Sequence, residues 1–325
     1  MKSIAITMPD LRPVVLAAAV CFILGVCASA LAQQAGSEWV NMNQKVIELA
    51  REGKNAEAIA LSHQAVALAE QKVGPEHHDV ATSLMHLAVL QERTKDDTGA
   101  EASYARALAI REKEYGAEHA YVGPSAEALA TLYDRIGEPA KAEPLFLRAL
   151  AIEEKNRGAD SLSAASAANN LAMHYDRRNE YDKAAPLYER AVAVRLKGLG
   201  EKHPAAASSQ NHLAAMYFRE GDYAQAEVAY RRLLELRTTM LGPDHHVVAD
   251  VLSNLAVVKI KQENPAAAEP YMRRALAIRE KALGPANAQT QQAMLYLAAI
   301  CRSNGKEAEA AELEKRVQDL RAPKS

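Results

Sequence analysis

Small and apolar residues lie on one side of two successive helical segments in residues 169–200, NNLAMHYDRRNEYDKAAPLYERAVAVRLKGLG. In the first segment these positions are Leu171, Ala172 and Tyr175, a spacing that keeps them on one helix face. The second segment does the same with Ala184, Tyr188 and Ala191. The polar run RRNEY between them is typical of a short turn. The pattern therefore predicts two antiparallel helices, with alanines that allow close approach and tyrosines that fill the space beside them.

The same pattern recurs along the chain at a step of 42 residues. Leucine occupies the position of Leu171 at Leu87, Leu129, Leu213, Leu255 and Leu297, and glycine recurs at Gly74, Gly116, Gly158, Gly200, Gly242 and Gly284. A single helix pair cannot bury its apolar face alone, so the repeats must stack. We predict an all-α fold, an α-solenoid that occupies residues 38–320 as one domain of about seven repeats. The predicted repeats are 38–79, 80–121, 122–163, 164–205, 206–247, 248–289 and 290–321.

Proline positions test this pattern. Pro139 and Pro265 are predicted to open second helices, because the first turn of a helix needs no N–H there. Three further prolines fall several residues inside second helices, where a bend is expected: Pro144, Pro186 and Pro270. The Gly123–Pro124 pair interrupts the expected start of one first helix, which we expect to begin near Pro124, later than its siblings.

These residues resemble the tetratricopeptide repeat in the longer form of the kinesin light chain family. The resemblance rests on three kinds of run: Asn169 to Tyr175, the AEPLF and AEPYM runs at Ala142 and Ala268, and RALAIREK at Arg106 and Arg274. It covers roughly residues 38–320. It implies a right-handed superhelix in which the first helix of each repeat lines a concave groove. It says little about function, because such repeats serve many partners.

Composition agrees with closely packed helices and excludes a basic nucleic-acid-binding protein. The chain has 325 residues, is 49% apolar and only 5% aromatic, and carries a net charge of −2. Alanine makes up roughly a fifth of it, which suits helices at close range better than a β-sandwich. Without a global basic field, no nucleic-acid partner is expected.

The N-terminus has the pattern of a secretory signal peptide over residues 1–32. Lys2 and Arg12 precede the apolar run 14–32, and Ala30 and Ala32 form an A-x-A cleavage pattern, so cleavage is predicted after Ala32. A bacterial exported, periplasmic protein follows. A retained membrane anchor remains an alternative, as does lipidation of Cys27, although Val26 fits a lipobox poorly. Membrane contact is expected only if this segment is retained.

After cleavage the only cysteine is Cys301, so no internal disulfide can form. A lone cysteine at a core position of a repeat is interpreted as a small buried thiol rather than a nucleophile.

One position on the first helices is basic in six successive repeats: Arg51, Arg93, Arg135, Arg177, Arg219 and Lys261. Neighbouring positions on the same face include His86, Asn170, His212 and Asn254, whose side chains can hydrogen-bond an extended peptide. Since arginine grips carboxylates, this basic series predicts a groove for a peptide or loop with acidic groups. The alternative is a solvated face whose cations stabilise helix ends or pair with acids such as Glu92, Asp134 or Asp176.

Two loops carry adjacent histidines, GPEHHDVA at 74–81 and GPDHHVVA at 242–249. They lie four repeats apart and cannot share an ion. Each alone offers two imidazoles and, at most, Glu76 or Asp244, whereas zinc sites usually need three or four ligands. No metal site is therefore assigned. The first histidine recurs as His77, His119, His203 and His245, with Ser161 and Asn287 in the other two loops, and is interpreted as a helix-start stabiliser.

Motifs for phosphate-binding loops, dinucleotide binding, zinc proteases and serine hydrolases are missing from the sequence. The prediction is a non-catalytic, exported scaffold for protein–protein interaction, with a protein or peptide partner and no cofactor. Two alternatives stay open: a metal-binding protein that uses the histidine loops, and an enzyme with an unrecognised site.

Overall fold

A computed structural model of the chain describes residues 38–322. The predicted signal peptide with its cleavage point after Ala32, the anchor alternative and Cys27 lie outside the described residues. Those residues form fourteen α-helices and contain no β-strand. In chain order the helices are α1 (Glu38–Arg51), α2 (Asn55–Val73), α3 (His78–Arg93), α4 (Asp97–Tyr115), α5 (Val122–Ile136), α6 (Pro139–Arg157), α7 (Leu162–Arg177), α8 (Tyr181–Leu199), α9 (Pro204–Glu220), α10 (Tyr223–Leu241), α11 (His246–Lys261), α12 (Pro265–Leu283), α13 (Ala288–Ser303) and α14 (Glu307–Arg321).

The chain divides into two compact units, one that ends at Arg157 and one that begins at Gly158. Within each unit every helix packs on the next one in sequence. The N-terminal unit contains α1 to α6 and the C-terminal unit contains α7 to α14. Odd-numbered helices are the first helices of the repeats and even-numbered ones the second helices. This consecutive pairing confirms the predicted all-α repeat fold.

Fully buried alanines bring the two helices of each pair into contact. In the N-terminal unit Ala88 and Ala100 are buried at the α3–α4 pair, with Tyr104 beside them. In the C-terminal unit Ala172 and Ala184 take the same places at α7–α8, with Tyr188. A methyl side chain lets helix axes approach closely, while the aromatic ring fills the remaining volume at the density of a protein interior. The core positions read from the sequence are therefore confirmed.

Prolines lie inside three second helices without ending them. Pro144, Pro186 and Pro270 are each the sixth residue of a helix that continues for a further thirteen residues. A proline there removes the hydrogen bond to the carbonyl four residues earlier. In each helix this carbonyl belongs to the second residue, which is exposed, so water can donate a hydrogen bond to it. The three residues are Ala140, Asp182 and Ala266. Pro139 and Pro265 open α6 and α12 as predicted.

Helix α5 begins at Val122, two residues later in the repeat than α3, α7, α9, α11 and α13 but before the predicted Pro124. Pro124 is its third residue, where the N–H has no partner within the helix. Gly123 lies in close contact with α6, since a Cβ atom there would be 3.0 Å from Glu153 Oε1 and 3.2 Å from Ile152 Cγ2. The delayed start thus accommodates both the proline and the close approach of the two helices.

The predicted helix-start position caps the following helix, which confirms that interpretation. His77, His203 and His245 each accept a hydrogen bond at Nδ1 from the backbone N–H two residues later, at 3.3, 3.1 and 3.3 Å. Ser161 and Asn287 cap α7 and α13 with their side-chain oxygens, at 3.1 and 2.9 Å. His119 accepts from the Tyr121 N–H at 3.2 Å just before α5. The position is polar because the first N–H groups of a helix need acceptors.

No helix within residues 38–322 is both long enough and apolar enough to cross a bilayer.

Candidate functional site

The residues predicted to bind a partner lie on one side of the first helices, which we call the first-helix face. In the N-terminal unit its centre is a hydrogen-bonded group formed by α1 and α3. His86 Nδ1 donates to Asn43 Oδ1 at 2.9 Å, and Asn43 Nδ2 donates to the carbonyl of Trp39 at 3.0 Å. The Trp39 indole N–H donates to Ser83 Oγ at 2.8 Å. His86 is half-buried and fixed in orientation.

The same arrangement recurs three repeats later in the C-terminal unit, between α7 and α9. Ser209 Oγ donates to Asn169 Oδ1 at 2.8 Å, and His212 Nδ1 lies 3.4 Å from the same oxygen. His212 is only 8% exposed. Its Nε2 atom is buried and has no hydrogen-bond partner among the described residues. The sequence placed both histidines on this face but did not indicate the asparagine that holds each one.

Both histidines are neutral at neutral pH. Burial lowers the pKa of His86 to about 4, with a second contribution from the nearby Arg111 cation. Burial also lowers the pKa of His212 to about 4, followed by the charge of Arg195. Desolvation disfavours the charged imidazolium, and a nearby cation adds to that effect. The half-buried His86 can therefore offer a ligand a hydrogen bond but no positive charge, whereas the buried Nε2 of His212 is closed to solvent and to a ligand.

Asn170 and Asn254 are both half-buried, on α7 and α11. An amide side chain that remains open to solvent at such a position can both donate to and accept from a peptide backbone. The structure thus places all four predicted polar residues on first helices, His86 in the N-terminal unit and the other three in the C-terminal unit.

In the N-terminal unit two members of the basic series contact the preceding repeat. Arg93 Nη1 donates to the carbonyl of Ala50, one residue before the end of α1, at 2.9 Å. Arg135 Nη2 pairs with Asp97 at 2.7 Å, and its Nε lies 3.8 Å from Glu92. Arg51 is exposed at the C-terminal end of α1. Arg93 and Arg135 therefore form contacts between neighbouring repeats.

In the C-terminal unit Arg219 does the same. Its guanidinium contacts both carboxylate oxygens of Asp176, one of them from Nε at 3.2 Å, and the Tyr188 hydroxyl donates to that carboxylate at 3.2 Å. Arg177 has contacts of its own within the protein, whereas Lys261 is exposed at the end of α11. The paired arginines still show solvent a sizeable part of their side chains, 39% for Arg135 and 38% for Arg219.

A second row of arginines, on the second helices, was not singled out from the sequence. Arg111 donates to Ser125 Oγ at 2.7 Å, and Arg195 donates to Ser209 Oγ at 2.5 Å, each on the next first helix. Arg279 is only 8% exposed and pairs with Asp250 at 2.8 Å on the first helix of its own repeat. The sequence does contain a signal for this row, because the three arginines occupy the same position of the 42-residue repeat. They put positive charge beneath the first-helix face.

Cys301 is fully buried in α13, as predicted for a core thiol. Its sulfur lies 3.8 Å from Arg273 Nη2, and burial raises the pKa of the thiol above its ordinary value. A buried thiol with a raised pKa is a poor nucleophile at neutral pH.

The family model of the tetratricopeptide repeat matches this chain at residues 42–113, 93–155, 135–197, 163–239, 205–281 and 247–322. A crystal structure of the nearly identical TPR-like repeats of a Podosopora anserina protein described as a kinesin light chain is 25% identical, with a TM-score of 0.55 over 63% of this chain and 97% of that one. Two further solved structures share the fold. The apo form of RapI has 16% identity and a TM-score of 0.58 over 88% of this chain and 98% of its own. A tetratricopeptide repeat protein from Parabacteroides merdae has 18% identity and a TM-score of 0.52 over 89% and 95%.

No curated protein is significantly similar in sequence. The family matches nevertheless overlap from residue 42 to residue 322, almost the whole of the described chain. Repeats of this family are typically non-catalytic and serve protein–protein interaction. From its helix pairs, its buried alanines and these matches, the chain belongs to the tetratricopeptide repeat family.

Proposed function

We propose that this protein is a non-catalytic, exported scaffold that binds a peptide or protein loop with acidic groups on its first-helix face. The observation that carries the proposal is that first helices recur throughout both units and keep polar and basic residues on their exposed side.

Helix α11 offers the best-defined contact in the C-terminal unit. Asn254 and Lys261 are seven residues apart and therefore lie on one side of this helix, two turns from each other. Asn254 is half-buried and Lys261 is exposed. An amide that hydrogen-bonds a peptide backbone and an ammonium that attracts a carboxylate would together hold an acidic residue of an extended ligand.

Positive charge beneath the face supports an acidic ligand. Arg195 lies under α7 and α9, where it donates to serine hydroxyls. Arg279 and Arg219 are paired with Asp250 and Asp176, so they add hydrogen-bond donors rather than net charge. The neutral state of His212 leaves Arg195 and Lys261 as the source of that charge. Electrostatic attraction of this kind acts mainly on the rate of association and on the choice of partner.

Export is the part of the proposal that rests on the sequence alone. The basic start, the apolar run 14–32 and the alanines at the predicted cleavage point support it. Detection of a mature N-terminus at Gln33 in the periplasmic fraction would establish it, and a full-length chain in the membrane fraction would contradict it.

Binding can be tested with a charge reversal that leaves the inter-repeat ion pairs intact. The double variant Asn254→Asp/Lys261→Glu places two negative charges on the first-helix face of α11. Lys202→Glu is the matched control, because Lys202 is exposed in the loop before α9. We expect the partner captured from a cell-envelope extract by the parent chain to be lost from the double variant and kept by Lys202→Glu.

The captured partner then supplies a defined ligand. Fluorescence anisotropy with a peptide of that partner should show binding that weakens with added salt and that falls at least tenfold when its acidic residues become amides. Equal binding of the acidic and amide peptides, or an undiminished affinity of the double variant, would refute the proposed site.

A further inference from the structure

The N-terminal unit contains a cluster of potential metal ligands at the start of α3. His77 and His78 are adjacent, with ring centroids 4.0 Å apart, and Glu114 reaches them from the end of α4. His78 Nδ1 lies 2.8 Å from Glu114 Oε1. One potential ligand atom from each of the three residues lies within 4.8 Å of the others.

The Asp79 carboxylate lies near one nitrogen of each imidazole ring. Its carboxylate lies 3.4 Å from His77 Nδ1 and 3.5 Å from His78 Nε2. The remaining nitrogens are His77 Nε2 and His78 Nδ1, and the latter is the one beside Glu114. In the ion-free protein His77 Nδ1 accepts the Asp79 backbone N–H, so the neutral ring carries its proton on Nε2. An ion at Nε2 displaces that proton, and His77 Nδ1 then exchanges the cap hydrogen bond for an N–H that donates to the Asp79 carboxylate. A carboxylate in this position fixes the tautomer of a ligating histidine and raises its basicity, as in many zinc sites.

The acidic residue within each histidine loop, which the sequence suggested as a third ligand, forms an ion pair with a lysine instead. Glu76 pairs with Lys113, and its counterpart Asp244 pairs with Lys281 at 2.6 Å. The missing ligand comes instead from Glu114, 36 residues beyond His78. The loop alone therefore offers too few protein ligands for zinc, whereas the folded unit offers three.

We propose that His77, His78 and Glu114 bind a zinc-type divalent ion, with the Asp79 carboxylate as the acceptor for the outer N–H of each imidazole once the ion is bound. Two histidines and a glutamate with water in the fourth position form a known tetrahedral zinc set. Ligand atoms about 2.0–2.1 Å from a tetrahedral zinc lie about 3.3 Å from one another. The His78–Glu114 pair needs to open by about half an ångström to reach that spacing. The side chains are 33%, 40% and 25% exposed, so water has access.

A second group of metal-binding residue types, Glu269, Cys301 and Glu309, does not fit a cation. Lys306 and Arg273 each contact Glu269 at 2.6 Å, and Arg273 also contacts Glu309 at 2.6 Å. Two fixed positive charges already neutralise these carboxylates, so an ion would have to displace them.

The C-terminal unit supplies an internal control. His245 and His246 repeat the histidine pair, with ring centroids 4.3 Å apart and the same cap at the start of α11. Val247 and Ala282 stand there in the places of Asp79 and Glu114. This loop therefore has the two imidazoles without either carboxylate, and it should bind the ion far more weakly.

Isothermal titration of the tag-free chain with zinc chloride tests the proposal. We expect one ion per chain with a dissociation constant in the micromolar range or below, since each additional protein ligand adds to the affinity. Glu114→Gln keeps the shape of the side chain and should weaken binding at least tenfold, as should His78→Ala. His246→Ala, which removes the equivalent imidazole of the second loop, should leave the affinity unchanged.

Cobalt chloride gives a second readout, because tetrahedral Co²⁺ with nitrogen and oxygen ligands absorbs far more strongly in the visible than octahedral Co²⁺. The strong spectrum should appear with the parent chain and with His246→Ala, and be lost with Glu114→Gln. Absence of zinc heat in the parent chain would overturn the site. So would binding that survives both Glu114→Gln and His78→Ala, or that is abolished by His246→Ala.

Discussion

Burial, rather than charge, determines how His86 and His212 behave. Each imidazole donates toward an asparagine oxygen on the preceding first helix and has an arginine nearby. Protonation would place a second cation in a poorly hydrated position, so both stay neutral. The hydrogen bonds that position the two histidines also connect neighbouring first helices. They therefore contribute to the stability of each unit.

Stability should therefore fall on mild acidification. An unfolded histidine titrates near pH 6.5 and the folded ones near 4, so the unfolded chain binds more protons in that window and stability is lost as pH falls from about 6.5 to about 4. Between pH 7 and pH 5 each histidine should cost about 2 kcal/mol. Urea unfolding at the two pH values measures this change.

His86→Gln should reduce that pH dependence by about 2 kcal/mol, because glutamine does not titrate. His63→Gln is the matched control, since His63 is exposed on α2, and its pH dependence should equal that of the parent chain. Carboxylates held at low pKa values by cations, such as Glu269 at about 2, lose their contribution only below about pH 4.5. An unchanged slope in His86→Gln would show that His86 is not the group responsible.

At the scale of the element, the repeat is defined by how its helices begin and where they touch. The loop residue that starts the first helix changes between histidine, serine and asparagine, yet it always supplies an acceptor for a backbone N–H. Alanine is kept where helices meet because any larger side chain would separate them. Both requirements depend on residues close together in the chain, so the spacing of residues in the sequence predicts both.

Removal of one cap should cost a predictable amount. Asn287→Ala deprives the Gln289 N–H of its acceptor, which lies at 2.9 Å, and should lower the free energy of unfolding by about 1 kcal/mol. Asn287→Ser retains a capping oxygen and should lower it by a few tenths at most. Urea denaturation followed by circular dichroism measures both, and equal losses in the two variants would argue against a capping role.

At the scale of the whole molecule, stability comes from interfaces between neighbouring helices, as expected of repeat proteins. The final helix pair covers one side of α12, where Met272, Ala275 and Ile278 are buried. Helix α14 buries only Ala310 and Val317 and is otherwise turned to solvent. That distribution suits a cap, which must cover an apolar face on one side and remain soluble on the other.

Deletion of residues 288–325 should uncover that apolar face and remove the Lys306 and Asn304 contacts of Glu269. We expect the thermal midpoint to fall by about 5 °C or more and the chain to aggregate more readily. Lys315→Ala, on the exposed side of α14, is the control and should change the midpoint by about 1 °C at most. A midpoint unaffected by the deletion would contradict the capping role.

The sequence by itself determined the helix pairs, their period and their buried alanines. These features depend on interactions between residues a few positions apart and on one pattern repeated many times, so each repeat adds evidence for the next. The caps and the proline-opened starts of α6 and α12 followed for the same reason. The start of α5 differed from the predicted Pro124, because the close approach of Gly123 to α6 depends on residues about thirty positions away.

The tertiary structure decided what the basic and histidine residues contact. Arg93, Arg135 and Arg219 could equally have faced a ligand, but folding brings Ala50, Asp97 and Asp176 to them from the preceding repeat. Glu114 likewise joins the His77–His78 pair only when α3 and α4 pack together. The physical reason is distance along the chain: the periodic spacing of apolar residues fixes which helix faces meet, whereas a charged side chain pairs with whichever partner the packed backbone places within about 4 Å.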